Sequence, residues 1–534
     1  MASTTSAESE SQTAPGQTCR PQNRWTLGPA KVLRQAGAAI LVVILLSVFV
    51  GSNYFKNETY VRSYEVWNVF HYYLGAKYFP EVGYFNLYTC ALEADQDSAG
   101  YWYRIPRARD METYRIVPRY SLPPCPRASF TPERWTEFSN DVEHFASLAS
   151  PYYFALLFAD KGLNPPPSLV AVARPMAQAI PISKSRVANV VFNLDLIALL
   201  SGVLIIWKTR SGAAALLTAG LATFCFGNFG RIGGNFLQYF WFPLVIITIV
   251  LWRRNRPGYS GAVLGIAVGL QTFPLFFGLP ILARGVIGAL RGHKEAEWLP
   301  HYKFGGALIA VIVASFLSGS LAGRGVGGWS EWQKKISIHK NYLQGEIFDI
   351  GLANLTAVTV STNRNSAATY IDDVASTFMR LDSLKRNMWI YYALSTLFLA
   401  MWFLIVVRAP ACDLFGHGFL LLFTAVNLSP YYYLSLALVP FMFWNAGRIL
   451  RLYAVCGTVV LFTANGLLFR GESASFVYLP HLVSGWSIAI FLLGLGAISV
   501  FSYRHAALGT PQRKSSYFIN RVALDDASVH DTSR

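Results

Sequence analysis

Charged residues are scarce in this chain of 534 residues, and acidic residues are fewer than basic ones. Only 14% of the residues are charged, with 29 Asp and Glu against 45 Lys and Arg. Because 53% of the residues are hydrophobic, this composition excludes an ordinary soluble enzyme and favours a membrane protein. The basic residues punctuate apolar runs instead of forming one tract, so we expect no nucleic-acid partner.

Motifs that hold cofactors are also missing. The six cysteines and nine histidines show no metal-ligand spacing. Neither a P-loop nor a dinucleotide-binding fingerprint occurs. We therefore expect no metal and no cofactor, so that any chemistry has to come from the side chains of the protein and from its substrates.

Long apolar stretches dominate the sequence instead. A helix needs roughly 17 to 25 apolar residues to cross a bilayer, and it satisfies its own backbone polar groups there. The pattern predicts an all-α polytopic transmembrane protein of about twelve helices. The predicted spans are 36–52, 187–207, 212–227, 236–252, 259–272, 274–290, 304–322, 387–407, 415–430, 432–447, 452–468 and 481–501.

The basic residues predict the orientation of these spans. Several of them precede the first span, which places the polar, disordered tail 1–35 in the cytoplasm. With twelve spans, the short basic loops and the tail 502–534 also lie inside, as expected for a multi-pass plasma (inner) membrane protein. Residues 259–290 form either one long helix or a hairpin broken near Pro274, and the hairpin keeps every basic loop inside.

Two segments predicted to lie outside are too long to be simple turns. The first long loop, residues 53–186, follows the first span. The second long loop, residues 323–386, separates helices 2–7 (187–322) from helices 8–12 (387–501). Both loops are rich in Lys and Arg, which either contact phosphate-bearing lipids or only solvate the loops.

The first long loop opens with an apparent amphipathic helix. Residues 61–79 place aromatic side chains at helical spacing and put Glu65, Asn68 and Tyr72 on another face. Such a helix is expected to lie parallel to the membrane, with its aromatic face at the headgroups.

A second membrane-parallel helix is predicted over residues 132–146. Thr131 is a suitable N-cap and Pro132 a suitable first residue. Asp141 and Glu143 are expected to face water, as surface carboxylates usually do.

Two cysteines are predicted to lie outside the membrane. Cys90 and Cys125 both belong to the first long loop. Because thiols in an oxidising compartment tend to pair, we predict a disulfide between them.

Residues 65–76 read EVWNVFHYYLGA. This stretch resembles the start of the large outer loop in the GT-C superfamily of membrane glycosyltransferases, above all in the family-87-like branch that uses polyprenyl-phosphate sugars. There an acidic residue precedes a Tyr-Tyr and small-residue run. By strict spacing Asn68 stands in the acidic position, and Glu65 lies one helical turn earlier. Because an amide is a poor proton acceptor, Glu65 is the candidate base; its alternative role is a headgroup-level carboxylate paired with Arg62 or Lys77.

Three other stretches add to this resemblance. Residues 265–274 (GIAVGLQTFP) resemble the Gly-rich membrane hairpin of that branch, with Gln271 where a Lys is expected. Residues 233–235 (GGN) loosely resemble a second motif of the branch. His339 corresponds to an outer-loop His of relatives, or else is a surface histidine. The phosphate-binding cation would then be Arg231, Lys334 or Lys335.

The resemblance implies a GT-C-like fold and an inverting glycosyltransferase, moving a hexosyl or pentosyl group in the manner of a mannosyltransferase. Glu65 would deprotonate the acceptor, an envelope lipid or glycan, while His339 holds the phosphate of the polyprenyl-phosphate donor. The expected substrate-binding residues are Asn68, Tyr72, Tyr73, Arg231, Gln271, Lys334 and Lys335. Should Glu65 not be the base, Asp95 or Asp141 is next in line.

Two other functional classes stay open at this point. A flippase for lipid-linked sugars or another transporter would place ionisable residues inside spans, where Asp195 is the clearest acid. A catalytically inactive scaffold for other envelope enzymes is the third possibility, and it would tolerate the loss of Glu65.

Overall fold

The computed structural model describes residues 64–183, 185–209, 212–223, 225, 233–292, 295–347, 349–361, 370–470 and 478–507. The predicted first span 36–52, both predicted tails except residues 502–507, and Arg231 lie outside the described residues. The structure is 75% helical, in agreement with the predicted all-α class.

Five helices are long and apolar enough to cross a membrane, as judged by length and composition. They coincide with predicted spans, as expected for a membrane-embedded helical protein. These five helices cover Arg186–Thr209, Glu297–Ser320, Met388–Arg408, Arg448–Leu468 and Leu479–Arg504. Apart from 36–52, which lies outside the described residues, the remaining predicted spans correspond to shorter apolar helices, and the total of twelve stays a prediction. The shorter helices include Gly212–Thr223, Trp241–Arg253, Pro257–Leu270, Leu275–Leu290 and Leu414–Ala425.

The chain is interrupted where the hairpin was predicted. One helix ends at Leu270 and the next begins at Leu275, with Gln271 in an extended conformation between them. Pro274 precedes the second helix, where its missing N–H removes no helical hydrogen bond. A single long helix over 259–290 is therefore wrong, and the predicted break is confirmed.

The Gly-rich stretch before this break is a packing surface. Three glycines of helix Pro257–Leu270 face helix Glu295–Ser320, one turn apart. A Cβ atom at Gly265 would lie 2.7 Å from Cβ of Val311, and one at Gly269 would lie 2.5 Å from Oγ of Ser315. Small residues at this spacing allow two membrane helices to approach closely. The glycines of the motif thus hold two helices together.

We expect Gly265→Val to destabilise the protein by about 1 to 3 kcal/mol, because the added side chain overlaps Val311 and the helices have to separate. Thermal unfolding of the purified protein in detergent measures this change. Gly258→Ala is the matched control, since a Cβ at Gly258 of the same helix meets nothing within 4 Å. An unchanged midpoint for Gly265→Val would contradict the close packing.

The first long loop folds into a helical body, and its hydrophobic core also includes residues from elsewhere in the chain, such as Phe236, Tyr342 and Leu343. Its α-helices are Val66–Val69, Gly75–Lys77, Phe79–Val82, Leu87–Asp97, Pro132–Ala146, Pro151–Leu157 and Pro167–Ala179. A π-helical stretch covers Phe70–Leu74, and 3-10 turns cover Arg119–Ser121 and Arg127–Ser129. Strand Arg107–Arg109 pairs in antiparallel fashion with strand Ile116–Pro118.

The opening helix differs from the expected surface helix. Residues 66–79 are buried on nearly every side, and only Trp67 and Asn68 are half-buried. Val66, Val69 and Phe70 belong to the core of the loop. Apolar and aromatic side chains surround this helix, and a helix that is apolar all round packs inside a protein. The expectation of a membrane-parallel helix with a polar face towards water is not met here.

Helix Pro132–Ala146 has the predicted bounds. Thr131 caps it by accepting a hydrogen bond from the backbone N–H of Arg134, at 3.3 Å. The expected outward position of Asp141 is wrong. Its carboxylate is buried and accepts hydrogen bonds from Lys77 Nζ at 2.6 Å and from the Tyr78 hydroxyl at 2.9 Å. Helical spacing placed Asp141 beside water, but a buried lysine on the facing segment supplies its counter-charge.

The rest of the chain completes the helical bundle. The second long loop contains helices Gly327–Leu343, Leu352–Val360 and Tyr370–Arg386. Other helices cover Ser185–Phe192, Leu194–Thr209, Glu295–Ser320, Gly418–Ala425, Val439–Met442, Arg448–Arg470 and Tyr478–Ala507, with 3-10 segments at Leu414–His417 and Pro430–Leu438.

Candidate functional site

Glu65 is fully buried at the start of the first helix of the loop. Its Oε2 atom accepts a hydrogen bond from the backbone N–H of Asn68 at 2.6 Å, so the carboxylate is the N-cap of helix Val66–Val69. Its Oε1 atom accepts a hydrogen bond from the hydroxyl of Tyr153 at 3.2 Å. Both oxygens are therefore held in fixed directions, and Tyr153 itself is half-buried.

The loop 233–235 anchors Glu65 and Asn68 to the membrane helices. The backbone N–H of Glu65 donates to the carbonyl of Gly234 at 3.0 Å, and the Asn68 amide donates to Oδ1 of Asn235 at 2.6 Å. Asp195 in turn accepts hydrogen bonds from the backbone N–H groups of Gly234 and Asn235, both at 3.0 Å. Sequence motifs that the resemblance had matched separately thus meet at one place.

Gln271 and Tyr72, both expected to bind substrate, contact each other. The Gln271 amide donates to the Tyr72 hydroxyl at 3.3 Å, and the Tyr432 hydroxyl donates to Oε1 of Gln271 at 2.7 Å. The break after Leu270 places Gln271 against the first long loop. Tyr73 lies apart from this contact, since its hydroxyl donates to the carbonyl of Ile180 at 2.7 Å. Its ring packs between aromatic rings, which gives Tyr73 a structural role.

Asp160 is a carboxylate that the sequence analysis did not identify. Its Oδ2 atom accepts a hydrogen bond from the indole N–H of Trp67 at 2.9 Å and lies 3.7 Å from Nδ1 of His71. The side chain keeps 22% of its exposure, whereas that of His71 keeps 3%. The feature of the sequence that could have indicated Asp160 is the polar pair Asp160-Lys161, which follows the aromatic-rich stretch 151–158.

The environment of Asp160 favours its charged form. Burial raises the pKa of Asp160, but His71, Lys161 and the indole N–H of Trp67 together lower it below its usual value. Burial lowers the pKa of His71 to about 4, against the opposing effect of Asp160. His71 is therefore neutral at pH 7 and pairs with the Tyr88 hydroxyl at 2.6 Å. Asp160 is an ionised carboxylate with hydrogen-bonding neighbours.

Lys335 and His339 lie one turn apart on helix Gly327–Leu343 and both are buried. Tyr114 of the first long loop contacts both: its hydroxyl is 3.3 Å from Nδ1 of His339, and its ring centre is 4.7 Å from the Lys335 ammonium. The first and second long loops therefore pack against each other through buried side chains. Burial, followed by neighbouring cations, lowers the pKa of His339 well below its usual value, so the ring is neutral at pH 7.

The ammonium group of Lys335 has an unusual set of neighbours. Its side chain is fully buried, and Nζ lies 3.0 Å from the sulfur of Met111. Among the described residues it forms no ion pair with a carboxylate. Burial and then the charge of Arg109 lower the pKa of Lys335 well below its usual value. Lys334, by contrast, is exposed and pairs with Glu112 at 2.9 Å, which is the ordinary role of a surface lysine.

Glu65 and His339 belong to two groups of polar side chains that interact electrostatically, since the charge of Asp160 acts on Lys335. Tyr153 hydrogen-bonds to Glu65 and packs against the ring of Trp67, whose indole N–H reaches Asp160. We name this set the loop cluster; its members are Glu65, Trp67, His71, Tyr114, Tyr153, Asp160, Lys335 and His339. It contains carboxylates at one end and a buried cation at the other.

The two alternative acids have structural roles. Asp95 accepts a hydrogen bond from the backbone N–H of Trp102 at 2.8 Å and is fully buried. Asp141 is tied to Lys77, as described above. Neither belongs to the loop cluster. Asp160 therefore replaces both as the alternative to Glu65.

The predicted disulfide between Cys90 and Cys125 is present. It joins helix Leu87–Asp97 to the segment before helix Pro132–Ala146, and the two cysteines are 35 positions apart in sequence. The segment between them includes the strand pair and Tyr114. The crosslink therefore restrains the part of the loop that contacts Lys335 and His339.

We expect the double substitution Cys90→Ser/Cys125→Ser to lower the free energy of unfolding by about 2 to 4 kcal/mol, because the unfolded chain gains the freedom that the crosslink removes. Thermal unfolding under non-reducing conditions measures the loss. Cys456→Ser, at an exposed free cysteine, is the control. Equal stability of the double variant and the wild type would contradict the expected role of the crosslink.

Comparison with known proteins gives no relative from which a role could be transferred. In the described part of the chain, no group of three or more His, Cys, Asp or Glu side chains is arranged to hold a metal ion. No protein-family model, curated protein or solved structure matches this chain.

Proposed function

We propose that this protein is a membrane glycosyltransferase that moves a sugar from a polyprenyl phosphate to an envelope lipid or glycan, with inversion at the anomeric carbon. The loop cluster is the observation that carries this proposal. It brings together ionisable carboxylates and a buried ammonium from loops that lie far apart in sequence, next to membrane helices. Transfer from a phosphate-linked donor needs these two elements, a base for the acceptor and a cation for the leaving phosphate.

Glu65 is the proposed base. The carboxylate takes the proton of the acceptor hydroxyl while the oxygen attacks the anomeric carbon, and the bond from that carbon to the phosphate oxygen breaks. Tyr153, which donates to Glu65 Oε1, orients the carboxylate. Asn68 and the loop 233–235 fix the backbone on both sides. Preorganisation of this kind favours the transition state because the groups need no rearrangement during the reaction.

Lys335 and His339 are the proposed phosphate-binding groups. An ammonium that lacks a carboxylate partner among the described residues is a suitable site for the negative charge that develops on the leaving phosphate. His339, neutral at pH 7, contributes a hydrogen bond. Tyr72 and Gln271, which meet between the loop and the membrane helices, are proposed to contact the sugar or the lipid phosphate. Lys334 and Tyr73 are left out of this set, because each already has a structural or surface role.

The transport alternative has less support from the arrangement of the intramembrane acid. Asp195 accepts two backbone hydrogen bonds from residues 234 and 235 and belongs to the support of Glu65. A transporter would use such an acid for an ion or a proton at the midplane. Here its oxygens already hold a loop in place.

A reconstituted transfer assay tests the proposal. Purified protein in vesicles of envelope lipids is offered radiolabelled polyprenyl-phosphate mannose and, in parallel, the corresponding glucose and pentose donors. Radiolabel in a new lipid or glycan product supports a transferase. Movement of the unchanged donor across the vesicle would instead show a flippase. Absence of both activities with every donor would overturn the proposal and leave the scaffold.

A further inference from the structure

A second charged group joins the two long loops beside the loop cluster. Lys161 comes from the first long loop, and Glu346 and Asp349 come from the second. The Lys161 ammonium lies 2.8 Å from Oε2 of Glu346 and 3.0 Å from Oδ2 of Asp349. None of these residues has a role in the proposed transfer reaction.

The charges in this group do not balance. Its side chains keep 9%, 1% and 0% of their exposure, for Lys161, Glu346 and Asp349 respectively, so all three are buried. Two carboxylates share one ammonium, and Lys161 also acts on the charge of its neighbour Asp160. A net negative charge inside a protein is costly unless it is neutralised.

Two carboxylate oxygens lack hydrogen-bond donors. Within the described residues, Glu346 Oε1 and Asp349 Oδ1 are buried atoms with no hydrogen-bond partner. Buried polar atoms nearly always have such a partner. An acidic proton satisfies this requirement, because a protonated carboxyl group donates a hydrogen bond and carries no charge.

Among the described residues, Lys161 is the cation that forms ion pairs with Glu346 and Asp349. Arg380 acts on His481 and donates to the carbonyl of Gly345. The titratable or charged groups that face Lys161 or Asp349 are Tyr114, Asp160, His339, Tyr433 and His481, with Arg380 behind His481.

We propose that Glu346 and Asp349 form a proton-binding site that holds one proton between them beside Lys161, and that this proton stabilises the contact of the two long loops. The ligand is a proton taken up from solution, which converts one carboxylate to a carboxylic acid. Its loss leaves two carboxylates on one ammonium and weakens the contact. The site is independent of the sugar-transfer reaction.

Electrostatics give the direction of the pH effect. Burial, reinforced by Glu346 and opposed by Lys161 and by a hydrogen bond from the Ser429 side chain, raises the pKa of Asp349 from 3.8 to about 6. Because the folded state binds this proton more tightly, its stabilisation is complete below about pH 4 and is lost as the pH rises through about 6. Each unit of pKa difference corresponds to roughly a tenfold change in the folding equilibrium.

Asp349→Asn tests the site in the full-length protein in detergent. The variant keeps a one-to-one pair of Lys161 and Glu346. At about pH 7.5, above the shifted pKa of Asp349, the unfolding midpoint of the variant is therefore expected to exceed that of the wild type. The difference should disappear near pH 4 (about the ordinary pKa of Asp). At about pH 5, one unit below the shifted pKa, the wild type should show the infrared C=O band of a protonated carboxylic acid. This band should be reduced in the variant. Glu112→Gln, at an exposed pair, is the control that changes neither readout.

Charge compensation gives an independent test. Lys161→Gln leaves two buried acids without a cation, so we expect lower stability at neutral pH and recovery on acidification. The triple variant Lys161→Gln/Glu346→Gln/Asp349→Asn removes all three charges and should recover stability at every pH. Equal infrared bands in the wild type and Asp349→Asn would overturn the proposal. So would a loss of stability in Lys161→Gln that is corrected neither at low pH nor in the triple variant.

Discussion

Glu65→Gln is expected to lower sugar transfer by about 10²- to 10⁴-fold, which is the contribution of a general base. The glutamine side chain has nearly the same shape, and its carbonyl can still accept the hydrogen bond from the Asn68 backbone N–H. The cap of helix Val66–Val69 therefore remains, with a stability loss of no more than about 1 kcal/mol. The measurements are the transfer rate with the labelled donor and the unfolding midpoint of the same preparation.

Asp160→Asn separates the two carboxylates of the loop cluster. If Glu65 is the base, Asp160→Asn changes the rate less than Glu65→Gln does, because Asp160 then affects the reaction through neighbours such as Trp67 and His71 and does not take the proton itself. Glu112→Gln, at the exposed pair with Lys334, should leave the rate unchanged. A Glu65→Gln protein that transfers sugar at the wild-type rate would refute the assignment, and loss of activity in Asp160→Asn alone would move the base to Asp160.

Lys335→Met is expected to have opposite effects on activity and stability. Loss of the ammonium should lower transfer by about 10²- to 10³-fold, as the loss of one donor to a developing negative charge usually does. The same change should raise the free energy of unfolding, because methionine fills a similar volume and needs no counter-charge. In the wild type the lowered pKa of Lys335 makes stability rise with pH as the lysine loses its proton in the folded state. That slope should be smaller in the variant.

Lys334→Met is the matched control for this experiment. Its ammonium is exposed and pairs with Glu112 at the surface, so removal should change stability by less than about 0.5 kcal/mol and leave transfer intact. A Lys335→Met protein that is less stable than the wild type would show that the ammonium has a structural partner. Unchanged transfer in that variant would exclude Lys335 from the phosphate site.

Local patterns in the sequence predicted local features well. The N-cap at Thr131, the bounds of helix Pro132–Ala146 and the break before Leu275 follow from the properties of Thr and Pro alone. The disulfide followed from the predicted placement of two cysteines in one loop. Each of these features depends on residues that are close together in sequence or confined to one segment.

Features that depend on distant residues were missed or misplaced. Helical spacing assigned Asp141 to water, whereas its hydrogen-bond donors Lys77 and Tyr78 come from another segment of the chain. The expected contact of Tyr73 with a substrate stays a prediction. Lys335 and Lys334 are adjacent and chemically alike, yet only Lys335 faces Tyr114 of the first long loop. No periodicity could distinguish them, because the difference lies in the contact between two loops.

The anchoring of Glu65 and Asn68 on residues 233–235 has a consequence for biosynthesis. Asn68 is hydrogen-bonded to a residue 167 positions later, so this part of the protein cannot reach its final geometry when it leaves the ribosome. At roughly 5 to 20 residues per second, the partner segment is synthesised roughly 10 to 30 s later. During that interval the contacts of Glu65 and Asn68 with residues 233–235 cannot form, so this part of the candidate site assembles only after the later segment has been made.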